Sequence, residues 1–152
     1  MNKSMTTKDI IKKGLLAGLT VLSLNLIGFI ALLGETELIK GWFTLGHVFL
    51  LATPVAIAYL TTNKMEAEGK VKPLGIGFVI GAIAALPSVL LVYIETTTDL
   101  RQFLANVSPA LTELLTFGQG VTVGSVLLIL LFGLMSAFAA FISILDEKIR
   151  KP

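Results

Sequence analysis

The sequence predicts an all-α integral membrane protein: a four-transmembrane-helix bundle with both termini cytoplasmic, and an amphipathic helical segment in the outer loop between spans 3 and 4. Three observations lead there. Four uncharged runs each reach the roughly 20 residues that a helix needs to cross a bilayer. Charged residues make up 14% of the chain and stand between those runs, while 55% of the chain is hydrophobic and the mean hydropathy is +0.88. The Lys and Arg residues crowd onto alternate connections, as they do when one side of a membrane is cytoplasmic.

The first run is Gly14 to Leu33, and Lys8, Lys12 and Lys13 stand directly before it. In hydrocarbon every backbone N–H and C=O must be paired within the segment, so a helix is the economical form. A helix of that length spans about 30 Å. Thr6 or Thr7 is placed to cap a helix that begins near Lys8, with Asp9 in its first turn. A cleaved signal peptide would have a shorter apolar core, and Leu32-Leu33-Gly34-Glu35 is not an A-x-A site, so the first helix is expected to be retained.

The second span covers roughly Gly41 to Thr61, with Trp42 at its start and Tyr59 near its end, both where interfacial rings are favoured. Pro54 inside it predicts a kink. A polar connection follows, Asn63 to Pro73. The third span is about Leu74 to Ile94, with Pro87 internal, and the fourth is about Val121 to Leu145. Leu100, Phe103, Leu104, Val107, Leu111, Leu114 and Leu115 recur at three- and four-residue spacing in the long third connection. They predict the amphipathic segment at about 98–117, split by Pro109, with Thr98 and Ser108 as caps.

Orientation follows from counting. The amino-terminal segment, the second connection and the tail hold ten of the twelve Lys and Arg residues, leaving Lys40 and Arg101 for the first and third connections. Both termini are expected on the cytoplasmic face of the cell membrane. The formal net charge of +2 is thereby a topology signal, and no nucleic-acid partner is expected. One membrane domain, residues 1–152, accounts for the whole length. The chain contains no cysteine, which removes disulfides, thiol redox chemistry and thiolate metal sites.

Two polar side chains inside the spans are weak candidates for substrate binding. Asn25 lies deep in the first span, where a structural tie to a neighbouring helix is the favoured reading; such hydrogen bonds average about 0.6 kcal/mol in membranes. His47, the one histidine, lies near the outer end of the second span, and intramembrane ionisable residues are functional suspects. A single histidine makes no bis-histidine haem or zinc site within one chain, so neither metal nor cofactor is expected. Small residues recur four apart: Gly14 with Gly18, Gly77 with Gly81 and Ala85, Gly120 with Gly124, Gly133 with Ala137. That spacing lets helix backbones approach closely, within this bundle or, for the third span, against a partner. No Asp, Glu, Lys or Arg falls in the central part of any span, which argues against a proton-coupled carrier. No G-x-x-x-x-G-K-[ST], H-E-x-x-H or G-x-S-x-G motif is present, so no catalytic residue is assigned and no enzyme is expected.

The run Asn106-Val107-Ser108-Pro109-Ala110-Leu111-Thr112-Glu113-Leu114-Leu115-Thr116-Phe117-Gly118 resembles a stretch near the amino end of Chloroflexi-type branched-chain amino-acid ABC transporter permeases. Lys13 to Leu19, Ile27-Gly28 and Leu45-Gly46-His47 resemble that region too. The resemblance implies a membrane component of an ATP-driven amino-acid importer, working with a permease core, a separate ATPase and a periplasmic binding protein. Such permeases continue into a longer transmembrane core, so the resemblance implies an accessory region, a fragment or a stand-alone relative. The expected role is packing or assembly in the lipid bilayer, as a homo-oligomer or within a larger membrane complex. The alternatives are a scaffold subunit of another membrane complex and a small oligomeric carrier.

Overall fold

The computed structural model describes residues 6–26, 36–39, 43–63, 71–97, 115–117 and 119–150. Four long helices dominate: α1 (Thr7–Leu26), α2 (Leu45–Thr62), α3 (Val71–Thr97) and α4 (Val121–Arg150). Three are long and apolar enough to cross a membrane, over Leu45–Thr62, Lys72–Ile94 and Val121–Asp146. The described part of α1 differs because its first turns carry Lys8, Asp9, Lys12 and Lys13; residues 27–33 of the predicted first span lie outside the described residues.

α1 begins where the sequence places a cap. Thr6 Oγ1 donates to Asp9 Oδ2 at 2.7 Å, Thr6 N–H donates to the same oxygen, and Asp9 N–H donates back to Thr6 Oγ1. This reciprocal box uses Asp where Glu or Gln is commoner, and it satisfies two amide donors that a helix start otherwise leaves open. α2 and α3 run unbroken through Pro54 and Pro87. α3 starts at Val71, ahead of the expected Leu74, because a proline in the first turn forfeits no helical hydrogen bond. α4 continues past Leu145 to Arg150.

The described residues are all-helical apart from one short hairpin, in which β1 (Glu37–Ile39) pairs antiparallel with β2 (Phe43–Thr44), Glu37 opposite Thr44 and Ile39 opposite Phe43. The second span therefore begins at Leu45 rather than near Gly41. The β-branched and aromatic Ile39, Phe43 and Thr44 suit strand pairing, and β2 leads directly into α2, with Leu45 N–H bonded to the Thr36 carbonyl. Of the predicted segment at 98–117, residues 98–114 lie outside the described residues. Leu115 and Thr116 are helical and buried, and Leu115 belongs to the bundle core.

The helices pack in a ring. α3 has the most extensive seams, against α4 and α1; α2 closes the ring on α4 and touches α1 and α3, leaving α1 and α4 on opposite corners. Gly14 meets Ile80 and Ile83, and Gly18 meets Ala84 and Pro87, so α1 and α3 run parallel. Gly77 meets Ser136 to Ala140 and Gly81 meets Phe132, so α3 and α4 run antiparallel. The core holds Ala17, Val21, Leu50, Ala84, Ala85, Leu115, Leu128 and Phe132. The outside is as apolar as the inside: Val126, Leu130, Leu134, Phe138 and Phe141 line the exposed side of α4, while its buried side carries Gly124, Ser125, Gly133, Ser136, Ala140 and Ser143. A soluble helix has the reverse arrangement. Small and polar inside with bulky and apolar outside fits a multi-pass membrane protein.

Candidate functional site

The glycines set the helix spacing. A methyl added at Gly14 would stand 2.8 Å from Ile83 Cβ, and one at Gly18 would stand 2.7 Å from the Ala84 carbonyl and 2.8 Å from Pro87 Cγ. At Gly77 it would lie 2.7 Å from the Ser136 carbonyl and 3.2 Å from Ala137 Cα; at Gly81 it would run into the Phe132 carbonyl. Gly133 receives the edge of Phe78 in the same way. Ala85 is fully buried in the core. The small faces of α3 are thus occupied by α1 and α4. The neighbours Gly75 and Gly120 face open space.

His47 stands in the first turn of α2, buried. Its Nδ1 accepts the Thr44 N–H at 3.1 Å, and Thr44 Oγ1 lies 2.8 Å from the same nitrogen. A ring nitrogen that accepts an amide proton carries none of its own, so the imidazole proton sits on Nε2. The ring stacks on Phe117, centroids 5.0 Å apart and planes 22° from parallel. Phe117 holds a left-handed backbone with φ of 53°, unusual for a residue with a Cβ, in the short turn that leads into α4. His47 therefore does two structural things: it caps α2 and clamps the end of the third connection onto the bundle.

Asn25 is fully buried in α1, and neither amide atom finds a hydrogen-bond partner among the described residues. No hydrogen bond joins it to His47. The structure adds polar groups that the sequence reading passed over. Ser88, Ser125, Ser136 and Thr61 are also buried, with hydroxyls that lack a partner among the described residues. Elsewhere hydroxyls are satisfied: Thr20 and Ser23 donate to the carbonyls four residues back, and Thr62 donates to the Ala58 carbonyl and to Ser143 Oγ at 3.1 Å. Tyr59 OH donates to Asp146 Oδ2 at 2.9 Å, tying α2 to α4 near the end that carries the chain termini. The signal for all of these was present as polar residues within spans, at helical spacing with the small ones.

Among the described residues the apolar core is thus interrupted by a few buried hydrogen-bonding groups, all of them neutral side chains apart from the ionisable His47. Among the described residues no three His, Asp or Glu side chains gather as a metal-ligand set. Set against known protein families, curated proteins and solved structures, the chain matches none.

Proposed function

We propose that the chain is a multi-pass subunit of the cell membrane with an assembly role rather than a catalytic one. It crosses the bilayer four times, with both termini cytoplasmic, and associates with an ABC-type branched-chain amino-acid permease, its ATPase and its binding protein. The observation that carries the assembly role is the division of labour between surfaces. Glycine-to-backbone contacts close the bundle on itself through α3, while bulky apolar side chains such as Leu130, Leu134 and Phe138 stay exposed. No ionisable side chain occupies the middle of a span, so the bundle has nothing to move a charge with. A partner would meet the Leu- and Phe-rich exterior, where van der Waals packing replaces lipid contact. The four-span count takes Gly14 to Leu33 as one helix, and the orientation takes the lysine distribution at face value. The transporter assignment rests on the resemblance of the Asn106 to Gly118 run.

Affinity purification of the tagged chain from its native membranes in mild detergent tests the reading. The expected result is co-purification with a permease core and its ATPase in constant ratio. Recovery with the subunits of a different membrane complex would move the assembly role there, and recovery as a lone monomer would end it.

A further inference from the structure

Three of the residues with unpartnered polar groups, Asn25, Ser88 and Ser125, fall in one half of the bundle. Gly81 faces Phe132 across the α3–α4 seam. Ser88 lies seven residues beyond Gly81, and Ser125 lies seven residues before Phe132. Seven residues are close to two helical turns, so this antiparallel register brings Ser88 and Ser125 to one level on facing stripes. Across the α1–α3 seam Gly18 faces Ala84 and Pro87, which puts Asn25, seven residues on, at the level of Leu91 to Ile94. That is about one turn nearer the hairpin. Helical side chains lean toward their own N-terminus. Asn25 therefore leans back toward the level of Ser88, Ser125, on the helix running the other way, leans up toward that of Asn25, and Ser88, on α3, leans toward Gly81.

All three are more than nine-tenths buried, and their four polar side-chain atoms, Asn25 Oδ1 and Nδ2 with the Ser88 and Ser125 Oγ atoms, lack partners among the described residues. A lipid-facing serine in this chain, Ser23, satisfies its hydroxyl on its own helix; these two do not. Leaving several such groups unpaired in a low-dielectric interior is unfavourable, so something with donors and acceptors belongs among them. An uncharged guest matches these groups, because the asparagine amide and the two hydroxyls are neutral.

We infer that Asn25, Ser88 and Ser125 form an internal site for an uncharged hydrogen-bonding guest: bound water, or a small amide or alcohol. The site lies along α3 in the half of the bundle nearer the hairpin, with Asn25 across the α1–α3 seam and Ser125 across the α3–α4 seam. Asn25 offers two N–H donors and a carbonyl acceptor, and each serine offers one donor and accepts in return. The inference rests on the membrane placement proposed above and not on the identity of any partner.

Flotation with lipid nanodiscs first establishes insertion, which keeps a failure of membrane placement separate from a failure of the site. The chain, labelled with 15N-asparagine, is then examined by NMR, with Asn25→Leu identifying the Asn25 amide. Cross-peaks between that amide and water that persist when acetamide is added support bound water. Cross-peaks or shifts that change on acetamide titration support a small-amide guest. An Asn25 amide with neither response overturns the site. Thermal unfolding gives an independent readout. A shared guest makes Asn25→Leu and the pair Ser88→Ala/Ser125→Ala each lower Tm, while the triple variant regains most of the loss. If each replacement raises Tm and the increments add, the groups are independent and the site is not there.

Discussion

A hydrogen is all that fits on the Cα of residue 81. A methyl there meets the Phe132 carbonyl, a backbone atom that cannot swing aside, whereas a methyl on Gly75 meets nothing within 4 Å. The two glycines share one helix, so the pair separates packing from helix propensity. Gly81→Ala is expected to destabilise the folded bundle by about 2 kcal/mol or more, through forced separation of α3 and α4. Gly75→Ala is expected to be neutral or stabilising by up to about 1 kcal/mol, because alanine is the better helix former. Unfolding in mixed micelles, followed by circular dichroism, measures both. His47 offers a second dissection. His47→Ala removes the acceptor for Thr44 N–H and the stack on Phe117, while His47→Phe removes the acceptor and keeps an aromatic ring. The phenylalanine variant should lose about 1 kcal/mol and the alanine variant about 2. Equal losses would mean that the stack contributes nothing.

Helix ends and seams divide by how local their causes are. The start of α1 was readable because its cap is made by Thr6 and Asp9, three residues apart, and needs nothing from the rest of the chain. Three apolar helices were readable because lipid compatibility is a property of consecutive residues. The hairpin before α2 was missed because apolar length near a span reads as more span, and strand pairing at Ile39 and Phe43 appears only once the chain folds back. The candidate site was half readable. Asn25 and His47 stand out as polar residues in apolar runs, but serine is small enough to pass for a packing residue. Ser88 and Ser125 gain meaning only from the register that Gly81 and Phe132 set between two helices. Tyr59 was read as an interfacial ring, and its partner Asp146 lies 87 residues away. That bond ties the last turn of α2 to α4, so Tyr59→Phe should cost about 1.5 kcal/mol, the range for a hydrogen bond to a charged acceptor. The same substitution should raise hydrogen exchange at the ends of α2 and α4 while leaving Leu50 and Phe132 protected.

Both ends of the bundle can be read chemically, because the chain has no cysteine and any single introduced thiol reports alone. Lys8, Asn63 and Ile149 are exposed and sit at the end that carries the termini; Thr36 and Gln119 are exposed and sit at the hairpin end. Under the proposed orientation, read from the lysine distribution, the first end is the cytoplasmic one. A membrane-impermeant maleimide added to intact cells should therefore label Thr36→Cys and Gln119→Cys. Lys8→Cys, Asn63→Cys and Ile149→Cys should react only after permeabilisation. The comparison of Lys8→Cys with Thr36→Cys carries the most weight, since it asks whether the helix that starts at Thr7 reaches the other face. Its described turns include four charged residues, and the apolar continuation to Leu33 must supply the remaining length. Opposite accessibility at these two positions requires a first crossing. Equal accessibility would leave α1 on one side with three crossings in all, and an odd number of crossings would put the chain's two ends on opposite faces. Lys8→Cys and Ile149→Cys would then disagree, so the two comparisons test one topology and must fail together.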